Sequence, residues 1–342
     1  MSSKYRSDTP FKFAEEHRNL IVRTISYIDY RHSVISFSRT EHTNVSQSIS
    51  TAFPRLSRVG FGVLGRIPLE LVIKILTYLD IRSIFAIRQL NLKFRQIIQS
   101  LKQFRVVVLH GLDLLCASLR TGIAFDVTLW DFYDLLCTKN CGICGAFGAY
   151  VSLLTWKRCC FKCMRKAPEI QMLSLTRLQK AFDLTKAQTR QLKSFKSLPG
   201  KYLWDDLVTS NRRIAIASVQ QAALISSNAP SFIIGRSNHD KKFNFMGACA
   251  LPYYDKRTEQ VECGLLCSGC ELAIDKSIIG RRGEDWAQEA RQKEYTRDGL
   301  LEHFQWCEQA QILWSSSDEG SRKPKELTER ARRGSCWTVV SN

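Results

Sequence analysis

Acidic residues are few in this chain: 32 Asp and Glu stand against 50 Lys and Arg, a net charge of +18 over 342 residues. That imbalance suits acidic proteins, nucleic acid or anionic membranes as partners and does not choose among them. Histidine is scarcer still, with six copies, too scattered to argue a Ser/His/Asp group. No run of about eighteen apolar residues occurs, which argues against a membrane span. The opening MSSKYRSDTP has no apolar h-region, and Asp8, Glu15 and Glu16 speak against a transit peptide, so a cytoplasmic or nuclear protein is expected. The phosphate-cradling GxxxxGK[ST], GxGxxG after a strand, HExxH, GxSxG and the zinc-deaminase pattern are all missing. Leucine-rich and WD-type repeats are missing too. No catalytic residue can be assigned, and a non-enzymatic role is expected.

Cysteine is the residue in excess, with thirteen copies. A long chain without a secretory signal has little use for a disulfide framework, so metal binding accounts for them better. Cys141 and Cys144 form a CxxC followed by Gly145, and Cys160 and Cys163 form a second CxxC. Between them, Tyr150, Val151, Leu153 and Trp156 read as a hairpin that brings the pairs together. Four thiolates at this spacing suit a closed, structural zinc site. A second group comprises Cys267, Cys270, His303 and Cys307. His303 and Cys307 are one helical turn apart, and so are expected on one helix face, completing a three-cysteine, one-histidine site for a second Zn2+. Cys137, Cys159 and Cys263 are each able to replace a ligand.

The stretch around which the chain is organised is Arg66–Arg95, RIPLELVIKILTYLDIRSIFAIRQLNLKFR. Pro68 suits a first helical position. Leu71, Ile75, Leu76 and Leu79 lie beyond it at helical spacing as one apolar stripe. Asp80 can cap a second helix bearing Ile84 and Ile87, and Leu90, Phe94, Ile97, Ile98 and Leu101 mark a third. Three short helices cannot bury all of this against one another, and surplus apolar surface marks a partner site.

The order of Pro68, Glu70, Leu71, Ile75, Leu76, Leu79, Asp80, Ser83, Ile84, Ile87, Asn91, Phe94 and Arg95 resembles the F-box, with Ile67 and Phe94 replacing the usual Leu and Trp. The resemblance implies a docking surface for a Skp-family adaptor made of Ile67, Pro68, Leu71, Ile75, Leu76, Leu79, Ile84, Ile87, Phe94 and Ile98. Through that adaptor it implies membership of a cullin-RING (SCF-type) ubiquitin ligase, as the non-catalytic subunit that holds a target protein of unknown identity. From Cys141 on, the segments Tyr150–Cys163, Leu198–Tyr202 and Cys267–Trp314 resemble a group of fungal F-box proteins. No chemistry of that region carries over.

The expected architecture is mainly α with small zinc-stapled β-hairpin elements (α+β), a short three-helix F-box followed by an irregular zinc-containing domain. Residues 1–57 read as disordered or loosely ordered, with a strand or two between Leu20 and Phe37. The F-box spans 65–109, and Val106–Leu109 read as a buried strand or extended link. Residues 111–314 form the cysteine-rich, zinc-binding target-recognition region. Within it, Ser174 and the capping box from Thr185 to Gln188 open two basic helices, and residues 212–225 read as an amphipathic helix. Residues 315–342 read as a disordered charged tail with a short helix at Glu326–Arg332. Two rival functions remain: a zinc-dependent nucleic-acid-binding protein using the basic helices at 171–201, and an F-box interaction protein without a degradative role.

Overall fold

In the computed structural model the described residues are 4–29, 49, 60, 62–203, 207–226, 238–279 and 283–334. The fold is mostly helical, with small antiparallel sheets. Short helices at Leu69–Tyr78, Ile81–Leu90 and Leu92–Ser100 come first in the main core. Each starts at a residue that can stop the chain from being helical. Pro68 is the N-cap of the first, one position earlier than its sequence suggests. Asp80 accepts the Ser83 N–H at 2.9 Å, and Asn91 accepts the Phe94 N–H at 2.9 Å. Such caps satisfy N–H groups that a helix end leaves without partners.

These helices are packed into the next part of the chain. One apolar cluster joins Val72, Leu76, Ile81, Ile84 and Ile98 to Val107, Leu114, Leu129, Phe132 and Leu136. The Leu129 N–H donates to Leu79 O, and the Ile81 N–H to Val127 O. The core therefore crosses residue 110, where the sequence suggested a domain boundary. Lys102–His110 is a helix, not a strand or an extended link. Its Val106, Val107 and Val108 are all buried, and a short run of β-branched residues cannot by itself tell a buried helix from a strand.

Three-stranded sheets lie beyond. Tyr150–Ser152 pairs antiparallel with Lys157–Cys159 as the expected hairpin, and on its other edge with Ala248–Ala250. Ala215–Ser218 is the central strand between Met172–Ser174 and Ser194–Lys196. The expected helix over 212–225 is thus a strand followed by a short helix, Val219–Ile225. Ile216 and Ala217 face opposite ways and are both fully buried, as a central strand covered on two sides requires. The two basic helices form at Leu175–Phe182 and Lys186–Gln191, with Ser174 and Thr185 as their caps.

The N-terminal reading needs the largest correction. Residues 4–29 are packed, not loose, and Arg18–Ile25 is a helix where strands were expected. Ile21, Val22 and Ile25 bury against Leu300, Phe304 and Trp314, so tertiary packing overrides their β propensity. Ser26–Tyr27 then pairs with Leu266–Cys267. The tail is held as well: the expected short helix forms at Glu329–Arg333, Arg330 pairs with buried Asp29, and the Ile28 N–H donates to Gly334 O. Residues 30–37, at the end of the segment read as strands, lie outside the described residues.

One buried cation ties the layers together. Arg158, on the edge strand Lys157–Cys159 of the hairpin, donates to the carbonyls of Leu135 (3.2 Å), Leu251 (2.9 Å) and Pro252 (2.7 Å), and also to Gly148. Among the described residues no carboxylate pairs with it. Burial pushes its pKa down to about 10, so it stays charged at neutral pH. Replacing Arg158 with Met removes the donor from the Gly148, Leu251 and Pro252 carbonyls, at about 1–3 kcal/mol each, whereas Leu135 O keeps the Thr138 N–H at 3.2 Å. The urea midpoint of Arg158→Met should fall by an amount equivalent to at least about 3 kcal/mol. A loss under about 1 kcal/mol would show that water satisfies the carbonyls instead.

Candidate metal centres and an exposed apolar face

The eight residues singled out by spacing converge as two tetrads: Cys141, Cys144, Cys160 and Cys163, and Cys267, Cys270, His303 and Cys307. Within each, the donor atoms all lie within 4.8 Å of one another. In the first, the Sγ atoms of Cys144 and Cys160 are 3.6 Å apart. In the second, Cys307 Sγ is 3.9 Å from Cys267 Sγ and 4.0 Å from Cys270 Sγ, and His303 Nε2 is 3.2 Å from Cys270 Sγ. A tetrahedron with metal–sulfur bonds of about 2.3 Å has sulfur–sulfur edges of about 3.8 Å. The separations match that figure and far exceed a disulfide bond of about 2.05 Å. The donor sets, four sulfurs and three sulfurs with an imidazole, suit zinc. Cys137, Cys159 and Cys263 belong to neither tetrad.

The backbone prepares each site. Gly145 has φ of 74°, which lets the chain turn back so that its N–H reaches Cys141 O at 3.0 Å. Cys160 is the N-cap of Phe161–Lys166, and its sulfur accepts the Cys163 N–H at 3.4 Å. Cys267 and Cys307 are likewise the N-caps of Ser268–Asp275 and Glu308–Ser316. Three ligands thus sit at helix N-termini, where unpaired N–H groups and the helix dipole favour a thiolate. The Cys160 thiol and the N–H groups of Cys144, Cys160 and Ile143 hold Cys141 well below the usual thiol range. Burial opposes ionisation of Cys267, yet hydrogen bonds from Cys270 and Cys307 outweigh it and lower its pKa too. Each tetrad therefore already favours a negative sulfur, which a divalent cation would share among its ligands.

His303 and Cys307 do not project from one helix. Arg297–Phe304 ends just after His303, and Cys307 opens the next helix, with its N–H on His303 O at 3.0 Å. The i, i+4 spacing brings the two donors together through a turn between helices. Gly269 also serves this site: a Cβ there would lie 2.3 Å from the Ala310 backbone nitrogen, so only glycine lets these two helices meet.

Sequence reasoning missed the N-terminal arm. Arg6 forms a β-bridge with Cys307 and Ser26 pairs with Cys267, so the arm flanks the second tetrad on both sides. The signal was present in Tyr5, Phe11, Phe13, Ile21, Val22 and Ile25, an apolar set that a solvated arm does not need.

The Leu69–Tyr78 helix carries two apolar faces. Leu76 is 2% exposed and Val72 is buried beside it, whereas Leu71 and Ile75 are each 51% exposed and Tyr78 60%. The predicted stripe is therefore split between core and solvent. Of the ten residues expected at the adaptor, Pro68, Leu71 and Ile75 are exposed, and Ile67, Leu79 and Ile87 are half-buried. Leu76, Ile84, Phe94 and Ile98 are buried and hold the helices together. Leu69 and Tyr78 extend the exposed face, and Tyr78 stacks on Trp130, ring centroids 6.5 Å apart.

A family model for the F-box domain matches residues 64–105. This segment is an F-box domain. No curated protein and no solved structure matches the chain. The F-box match covers all three short helices and the first turn of the next, so the exposed Leu69–Tyr78 face lies on the F-box itself. Among the described residues no helix is long and apolar enough to cross a membrane.

Elemental analysis of the purified chain should give two zinc ions per molecule. Cys144→Ser and His303→Ala should each lower the value to about one. A value near zero in folded, chelator-resistant protein would reject both centres.

Proposed function

We propose that the chain is the target-holding subunit of an SCF-type cullin-RING ubiquitin ligase. The observation that carries this reading is the F-box at residues 64–105 with its solvent-facing Leu69, Leu71, Ile75 and Tyr78. An apolar face of this kind on a small helical unit marks a partner site, and a Skp-family adaptor is the partner that an F-box implies. The subunit itself performs no chemistry. It raises the concentration of a target near a charged conjugating enzyme, which is an effect of proximity.

The region from 111 to 314 is the part that holds the target. The two tetrads each bind a structural Zn2+: four protein ligands close the coordination sphere and leave no position for a substrate. Their role is to tie loops and short helices whose apolar clusters are small. Metal binding at such sites is worth on the order of 10 kcal/mol of folding free energy at neutral pH.

The burial pattern dictates which variants test the adaptor contact. Leu71→Asp with Ile75→Asp places charges on the exposed face only. The folded double variant should lose adaptor binding at least about a hundredfold, because carboxylates would be buried without partners. Leu76→Asp should instead unfold the F-box. A folded Leu71→Asp/Ile75→Asp variant that co-purifies with the adaptor at the level of the unaltered chain would refute the docking reading.

A further inference from the structure

A cavity of about 560 Å³ runs between the two tetrads, touching Cys144, Cys160 and Cys163 on one side and His303 and Cys307 on the other. That volume suits a few side chains of a bound segment. Its walls are aromatic: Phe147, Phe161, Trp286, Tyr295 and Trp306 all line it. Tyr5 from the N-terminal arm meets Trp286 edge-on, centroids 4.7 Å apart, and so fixes that wall.

The charge on the rim is asymmetric. On the side of the first tetrad, Lys162 and Lys166 both pair with Glu289, at 2.9 and 2.7 Å. On the side of the second, Arg6 lies 4.3 Å above the Trp306 ring and Lys293 lies 4.9 Å from the Tyr295 ring centroid. Neither of these cations makes an ion pair among the described residues. Aromatic faces hold both in place; of the two carboxylates that line the cavity, Glu289 is taken by the two lysines and Glu294 accepts from the Tyr150 hydroxyl at 2.7 Å. An anion arriving here meets two positioned cations, while an apolar side chain has the aromatic slot behind them.

We infer that this cleft is where the target is held, and that its occupant is a linear protein segment with a bulky apolar residue close to an acidic or phosphorylated one. The bulky residue enters between Phe161 and Trp286. The anionic group lies on Arg6 and Lys293, on the side of the tetrad with three cysteines rather than four. The inference rests on the receptor reading above and adds the chemistry of what is received.

The test uses the full chain and a positional-scanning library of short synthetic peptides, with phosphoserine included among the fixed residues. The chain should select an aromatic or large aliphatic residue at a constant spacing from Asp, Glu or phosphoserine. Selection of carboxylates points to an acidic segment, and selection of phosphoserine alone to a modified one; both support the cleft. Arg6→Glu with Lys293→Glu should weaken the best peptide at least about tenfold and erase the anion preference, with both zinc ions retained. Trp286→Ala should weaken selection of the bulky residue and keep that for charge. If the reversed pair fails to fold, Arg6→Gln with Lys293→Gln reads the same contact. A flat library, or a preference unchanged in either folded double variant, would overturn the proposal. Adaptor binding is measured separately on the same samples. A chain that binds adaptor and two zinc ions but selects no peptide sinks the cleft alone, whereas a chain that selects peptide but not adaptor sinks the ligase reading.

Discussion

The attachment of the first cysteine knuckle and its sheet to the F-box core depends on how one buried guanidinium is satisfied. Among the described residues Arg158 meets backbone carbonyls alone, from three separate places. Leu135 and Leu136 close the Leu129–Leu136 helix, Gly148 lies just after the first cysteine knuckle, and Leu251 and Pro252 lie just after the third strand of the hairpin sheet. A cation at a helix C-terminus is favourable because the last carbonyls point at it. Several charge-assisted hydrogen bonds then replace the lost hydration. The helix so anchored is the one whose Leu129 and Phe132 pack on the F-box core. Arg158 thus fixes the orientation of the cysteine-rich region relative to the F-box through backbone groups that no substitution elsewhere can delete.

The two tetrads solve a related problem by the same physics with the sign reversed. The Cys160 sulfur takes an N–H at a helix N-terminus, and Cys267 and Cys307 stand at two more, where Arg158 takes carbonyls at a helix C-terminus. Between the tetrads the fold is bridged by Tyr150, whose hydroxyl donates to buried Glu294 at 2.7 Å. Glu294 sits next to Tyr295, which stacks on His303 at 4.8 Å. A side chain beside one centre therefore contacts the sheet that carries the other.

Local signals in the sequence were reliable wherever one or two residues decide the outcome. The caps at Asp80, Ser174 and Thr185, the hairpin between the CxxC pairs, and the convergence of eight ligand candidates were all legible, because each is a matter of spacing and hydrogen-bonding chemistry. Signals that depend on what lies opposite failed. Val106–Val108 and Ile214–Ala217 are apolar runs equally compatible with helix and strand, and only the neighbours that bury them choose. The Leu69–Tyr78 helix shows the same limit at finer scale. Ile75 and Leu76 are adjacent and equally apolar, yet one faces solvent and the other the core, because Val72 and Leu129 set the direction of burial. Residues 4–29 were misread since their partners lie near residues 266–334, beyond the reach of any local window.

That long-range closure has a consequence for the order in which the molecule can form. The ribosome delivers residues 4–29 ahead of the F-box, yet the Cys267 strand, the Trp314 helix and Arg330 that bury them emerge near the end of synthesis. The F-box helices contact one another and the segment up to Leu136, so they can assemble while the C-terminal third is still untranslated. The arm must wait, with Ile21, Val22 and Ile25 uncovered, until the second tetrad's segments arrive. A contact spanning nearly the whole chain is entropically slow to form. Completion of the cysteine-rich half is therefore the last event in the biogenesis of this protein, and a nascent chain can expose a formed F-box face well before its second tetrad closes.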